Sequence, residues 1–158
     1  MKWLLPLCLV PCFALAAEPP QFEAGISPSL SYSTNDRFQF STGVFFKIPV
    51  AHRWQLKLAD ENLVSNRDGH RFLAGVDYNF NDDWQSSFFA GLGAGWQKLG
   101  IVSGNLPKNY WFGYAEAGKR FTLIRSWGLS YAPQVQLNWG PDSNPEVRIM
   151  PANVSLFF

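Results

Sequence analysis

The stretch Phe38-Gln39-Phe40-Ser41-Thr42-Gly43-Val44-Phe45-Phe46-Lys47-Ile48 decides the fold class. Phe38, Phe40, Thr42, Val44, Phe46 and Ile48 share one parity; Gln39, Ser41, Gly43, Phe45 and Lys47 share the other. A repeat of two belongs to a β-strand, whose successive side chains point to opposite faces. One face here is an almost continuous apolar stripe. The other is small or polar and carries a cation. A strand of this length crosses a bilayer when tilted, whereas a helix needs ~20 apolar residues.

The same alternation recurs over 22–32, 54–59, 72–80, 84–96, 127–139 and 150–158. In the last of these, Met150, Ala152, Val154, Leu156 and Phe158 oppose Asn153, Ser155 and Phe157. The segment 110–121 has aromatics on both parities. The register with Trp111, Gly113, Ala115, Ala117 and Phe121 outward turns Phe112, Tyr114, Glu116 and Arg120 inward. It keeps Glu116 out of lipid, where a charge is expensive. Gly91, Gly93 and Gly95 on the preceding strand then leave room for the inward rings. The same register puts Lys119 outside, so its amine must snorkel to the membrane surface. The expected fold is all-β, an eight-stranded antiparallel transmembrane barrel of meander topology.

Turn signals fit that arrangement. Segments 49–53, 81–83 and 122–126 are short and fall on one side, expected to be periplasmic; 33–37, 63–69, 99–109 and 140–146 fall on the other. Outer-membrane barrels pair short periplasmic turns with longer external loops. The aromatics form two rings. Phe22, Trp54, Phe80, Trp84, Phe121, Trp127 and Phe158 mark the periplasmic strand ends, and Tyr32, Phe38, Phe72, Trp96, Trp111 and Trp139 the external ones. Such girdles sit at the two headgroup levels. Alternation by itself does not say which face meets solvent, and a soluble lipocalin-like barrel would invert the faces. It would give no reason for two rings.

Residues 1–17 read as a cleaved signal peptide: Lys2, an apolar run from Trp3 to Leu15, and Ala14-x-Ala16 before the cut. The barrel domain then spans 18–158. Cys8 and Cys12 both lie in the leader, so no disulfide supports the mature domain. Losing Lys2 from thirteen basic side chains leaves twelve against twelve acidic ones. Such a balance supplies no polybasic surface for nucleic acid.

Inward charges are expected at Glu23, Lys47, Lys57, Asp77, Glu116 and Arg120. Glu116 and Arg120 share a face of one strand at ~3.3 Å per residue, too far apart to pair with each other. Each needs a partner on another strand. An eight-stranded barrel is about filled by its own side chains, so an ion-paired lumen competes with a gated narrow pore. Pro28 and Pro133 point to lipid from strand interiors and lack a donor, which suggests a ladder defect or bulge. Such a defect could admit small apolar solutes sideways.

The C-terminal Met150-x-Ala152-x-Val154-x-Leu156-x-Phe158 resembles the terminal strand signature of outer-membrane proteins. Segments 89–96 and 115–121 resemble paired strands of the small outer-membrane protein A/W-type barrels. The resemblance spans nearly all of the mature chain. It implies export through the periplasm to the outer membrane of a Gram-negative bacterium. It also implies recognition of the terminal Phe by the barrel-assembly machinery, and contact with outer-membrane lipid and lipopolysaccharide.

Chemistry is sparsely signalled. Lipid A deacylases of this shape carry a His-Tyr-Ser motif on a late strand; this chain has Leu129-Ser130-Tyr131-Ala132 there and no His. His52 falls in a periplasmic turn. His70 lies near Ser65 and Asp68, with Asp60 upstream, a conceivable but weak triad, because triads are defined by geometry. No Cys/His spacing suits a metal. Gly91-x-Gly93-x-Gly95 lies within a strand without a following Lys-Ser/Thr, so it is no phosphate loop. No cofactor is called for. The expected role is non-catalytic: structural, surface-contact or envelope maintenance. The alternatives are a lipid A- or phospholipid-modifying enzyme and a narrow channel for small solutes.

Overall fold

A computed structural model of the chain describes residues 21–33, 37–64, 69–99, 109–140 and 143–158. The proposed leader and residues 65–68, where Ser65 and Asp68 stand, lie outside them. The strands are β1 Glu23–Ser33, β2 Arg37–Ala51, β3 Trp54–Val64, β4 Gly69–Asn79, β5 Phe88–Leu99, β6 Asn109–Lys119, β7 Phe121–Ile124, β8 Leu129–Gly140 and β9 Ser143–Phe157. All pairings are antiparallel between neighbours, in the order β6-β5-β4-β3-β2-β1-β9-β8-β7, and β6 also pairs with β8. That last pairing closes the sheet. Gly118 lies opposite Gln134 and Phe121 opposite Tyr131, so the register on β8 runs unbroken past Arg120. β6 and β7 are therefore one strand, and the molecule is an eight-stranded meander barrel. Phe22 and Phe158 exchange backbone bonds of 3.0 Å at one end, called here the terminal end.

The two faces of the wall have opposite chemistry. Among the described residues, 23 polar or charged side chains are buried against nine hydrophobic ones. Ile26, Val44, Leu92, Val135 and Ile149 meanwhile stand exposed on the outside. This is the reverse of a soluble domain, and it matches an environment in which the outside is apolar. At the terminal end Phe22 stacks with Phe46 and Phe158, and Tyr78 contacts Trp54 and Phe80. At the other end, the loop end, Tyr32 meets Phe38 and Phe72 stacks on Trp96.

The ambiguous sixth strand adopts the register with Phe112, Tyr114 and Glu116 inside and Trp111 outside. A Cβ at Gly93 would collide with the Tyr114 ring, and one at Gly95 with the Phe112 ring. Lys119 points outward and lays its amine over Phe88 and Phe121, 4.7 and 4.9 Å from the ring centroids. It leans on the terminal-end girdle.

Three expectations need correction. Met150 is buried, not outward. Between Met150 and Asn153 the last strand gains one residue against both neighbours, with Ala132 opposite Asn153 and Gln134 opposite Met150. On the β1 side the shift falls between Ile26 and Leu30. Pro151 of β9 lies in this bulge, and Pro28 of β1 and Pro133 of β8 fall within the same register shifts. None of the three can donate to the ladder, so an inserted residue is accommodated there. The insertion reverses the parity of everything before it. Secondly, Trp84–Ser86 is a 3-10 turn rather than the start of a strand, so that hairpin is wider than 81–83. Thirdly, Arg125–Trp127 is also a 3-10 turn, closed by Gly128 at φ 63°. β8 begins only at Leu129.

Candidate functional site

Five anions and five cations meet inside the barrel: Glu23, Glu61, Asp77, Glu116 and Glu146 with Lys47, Lys57, Arg71, Arg120 and Arg148. Their strands place them by parity, and they fall into three layers.

Nearest the terminal end, Arg120 donates to both carboxyl oxygens of Glu23, at 3.3 and 2.9 Å. It also donates to Asn79 Oδ1 and to Gln55 Oε1. Ser155 Oγ donates to Glu23 at 2.9 Å. The guanidinium lies between the rings of Phe89 and Phe157. In the middle layer Lys47 donates to Asp77 at 2.5 Å, and Lys57 to both oxygens of Glu116 at 2.6 Å. Gln134 adds a donor to Glu116 at 3.2 Å. Its second contact is to Met150 Sδ at 3.1 Å, which holds the inward methionine. Toward the loop end Arg148 donates to Glu61 at 2.6 Å and to Ser29 at 2.8 Å. Arg71 donates to Gln97 at 2.8 Å and to Glu146 at 3.0 Å.

All six lumen charges expected from the sequence are buried, and each has an ionic partner on another strand. Glu116 and Arg120 do not meet; they use Lys57 and Glu23. The four others escaped the reading. Arg71 had the right parity but stood at a strand end. Glu61 lies past Ala59, where β3 continues to Val64. Glu146 and Arg148 precede the bulge. The flip from Glu146-Val147-Arg148-Ile149 to Asn153-Val154-Ser155-Leu156, with Pro151 between, is the signal that could have found them.

Little space remains. A cavity of about 10 Å³ lies between Phe45, Lys47, Lys57, Glu61, Gln134 and Asn153, room for a water molecule at most. The arrangement neutralises charge and braces the wall.

Of the catalytic candidates, Ser65 and Asp68 lie outside the described residues, and His70, Asp60 and His52 are not brought together. His70 faces outward from β4, level with Asn62 on β3 and Lys98 on β5. Asp60 also faces outward, beside Phe72. His52 sits in the β2–β3 turn with Nε2 3.2 Å from Asp82 Oδ1. Arg53, at φ 65°, donates to the same oxygen at 2.8 Å. That hydrogen bond holds the exposed Asp82 carboxyl below its usual range. Tyr131, from the Ser-Tyr pair on β8, spends its hydroxyl on the Pro151 carbonyl at 2.5 Å.

The terminal residues divide in the same way. Val154, Leu156 and Phe158 lie on the outer side with Ala152, and only Met150 turns in.

Neither a protein-family model nor a curated protein matches the chain. Solved structures do. The N-terminal β-barrel domain of Pseudomonas aeruginosa OprF superposes with a TM-score of 0.70 at 12% identity, over 88% of this chain and 99% of that one. Neisserial surface protein A gives 0.62 at 10% identity, covering 88% and 97%. The outer-membrane protein OprG of Pseudomonas aeruginosa gives 0.57 at 11%, covering 87% and 93%. This chain therefore has the fold of these proteins, a small eight-stranded antiparallel β-barrel.

Proposed function

We propose that the chain is a non-catalytic integral protein of a Gram-negative outer membrane, with a structural, surface-contact or envelope-maintenance role. The observation that supports this reading best is the pairing of a filled, charge-balanced lumen with an apolar outer wall. A pore would need more space inside than the paired side chains leave between the described strands. The chain reaches the membrane through the periplasm after losing residues 1–17, with the terminal end periplasmic. Phe158 and its strand serve as the signal to the barrel-assembly machinery. Outer-leaflet lipid, including lipopolysaccharide, surrounds the wall.

Closed barrels satisfy every backbone group and resist detergent. The test is therefore mobility in SDS before and after boiling, together with envelope fractionation. A shift on boiling and recovery in the outer-membrane fraction support the reading. Identical mobility with recovery in the soluble periplasm overturns it. Altered lipid A in the mass spectrum of cells expressing the protein, lost in His70→Ala, overturns the non-catalytic part alone.

A further inference from the structure

Among the described strand residues Asp60 is the one acid on the outer wall; every other strand carboxylate turns inward to a cation. Its Oδ1 is enclosed without a hydrogen-bond partner among the described residues; Oδ2 is not enclosed and is the oxygen open to the outside. A carboxylate on a lipid-facing wall is costly unless a donor from outside reaches that open oxygen. Asp60 also lines a groove of about 750 Å³, within the size range of ligand sites. Ala74 and Ala94 make its floor low, and Val44, Phe72, Trp96 and Trp111 raise its walls.

Cross-strand register fixes the level. Asp60, Phe72, Trp96 and Trp111 form one row across β3 to β6. The next outward-facing row toward the loop end is Asn62, His70, Lys98 and Asn109, all exposed and polar. The rows are two residues apart, ~7 Å along a strand. The carboxyl group therefore stands just below a polar, partly cationic belt and just above an apolar groove. In a bilayer that is the depth at which acyl chains join their headgroups.

The chemistry at that depth discriminates between lipids. Ester-linked glycerophospholipids present carbonyl and ether oxygens there, all acceptors, which cannot complete a carboxyl oxygen. An amide-linked 3-hydroxyacyl chain presents an N–H and an O–H, both donors. A phosphate on its sugar would stand one row higher, beside His70 and Lys98. We propose that Asp60 and the groove below it form a binding site for an amide-linked 3-hydroxyacyl phosphoglycolipid of the outer leaflet. The chain lies over Ala74 and Ala94 against the Phe72, Trp96 and Trp111 rings. The amide or hydroxyl donates to Asp60, and the phosphate meets Lys98. The inference rests on the outer-membrane reading above.

The test uses the mature barrel in dodecyl maltoside micelles, titrated under native mass spectrometry. One probe is 2,3-bis(3-hydroxymyristoyl)glucosamine 1-phosphate; the other is dimyristoyl phosphatidic acid, which has chains of the same length in ester linkage. The wild type should favour the glucosamine lipid by about tenfold or more, the worth of one charge-assisted hydrogen bond. Asp60→Leu should erase the preference, Asp60→Asn should keep part of it, and Lys98→Gln should weaken both lipids alike. Equal binding of the two lipids by the wild type overturns the proposal, as does an undiminished preference in Asp60→Leu. A dimer whose formation hides Asp60 also overturns it, because the groove then belongs to a second copy. Heat-modified mobility and envelope fractionation of the same preparations separate the two readings. A folded outer-membrane barrel without the preference defeats this inference alone, and a soluble protein defeats both.

Discussion

The lumen and the outer wall are two sides of the same strands, yet they solve opposite problems. Inside, Arg120, Arg71 and Arg148 are almost fully enclosed and tolerable only because carboxylates and amides from other strands surround them. Outside, Ile26, Val44 and Leu92 are exposed and tolerable only because lipid is as apolar as they are. The inside is specific, since each charge needs its own partner at its own height. The outside is permissive, since any apolar side chain serves. Substitutions should therefore be judged by face rather than by residue type.

The largest effect should come from breaking a lumen pair. Glu116→Gln leaves Lys57 enclosed without its anion and should cost about 3–5 kcal/mol in urea unfolding from lipid vesicles. The double variant Lys57→Met with Glu116→Leu should recover much of that loss, because no charge is then stranded. If the double variant is as unstable as the single one, the layer contributes shape rather than charge balance.

Next comes a charge placed on the permissive face. Leu92→Arg should cost about 2–4 kcal/mol in the same assay if the position lies near the bilayer middle, whereas Leu92→Val should change little. A third test works on volume. Gly93→Val drives a branched side chain into the Ala74 carbonyl oxygen and the Tyr114 ring and should cost about 1–3 kcal/mol. Tyr114→Ala should relieve part of that strain if the clash is the cause.

The smallest effect belongs to the turn that neither face contains. The Asp82 carboxyl is held below its ordinary range by Arg53, with His52 adding to the effect. A depressed carboxyl contributes its stability above the unfolded value and loses it as pH falls through the folded one. Acidification below the usual carboxylate range should therefore remove a slight stabilisation in the wild type and none in Asp82→Asn. At neutral pH the two proteins should unfold at nearly the same urea concentration, since the pair is open to solvent.

The contrast between faces was largely legible before the structure, because it is written in parity. Phe38 to Ile48 shows it directly, and the six expected lumen charges are all buried. What parity misses is where parity changes. Pro151 and its neighbours insert one residue, so Met150 and Arg148 point in although the final residues imply otherwise. Glu61 and Arg71 were lost for a related reason: strand ends look like loops when the turns are polar. The groove beside Asp60 was illegible in principle. It depends on Ala74, Ala94 and Trp111 coming together from three strands, which is a property of cross-strand register and not of any one segment.

The central claim is that one side of each strand meets lipid and the other a packed polar interior. Residues 18–158 contain no cysteine, so in a chain of those residues single cysteines can be introduced from Phe38 to Ile48 and spin-labelled in reconstituted vesicles. Collision with dissolved oxygen against a water-soluble nickel chelate then reports the surroundings of each label. The account predicts strict alternation: high oxygen access and low chelate access at Phe40, Val44 and Phe46, and little access to either at Ser41, Phe45 and Lys47. A profile without period two, or one with the chelate reaching the Val44 face, would contradict it.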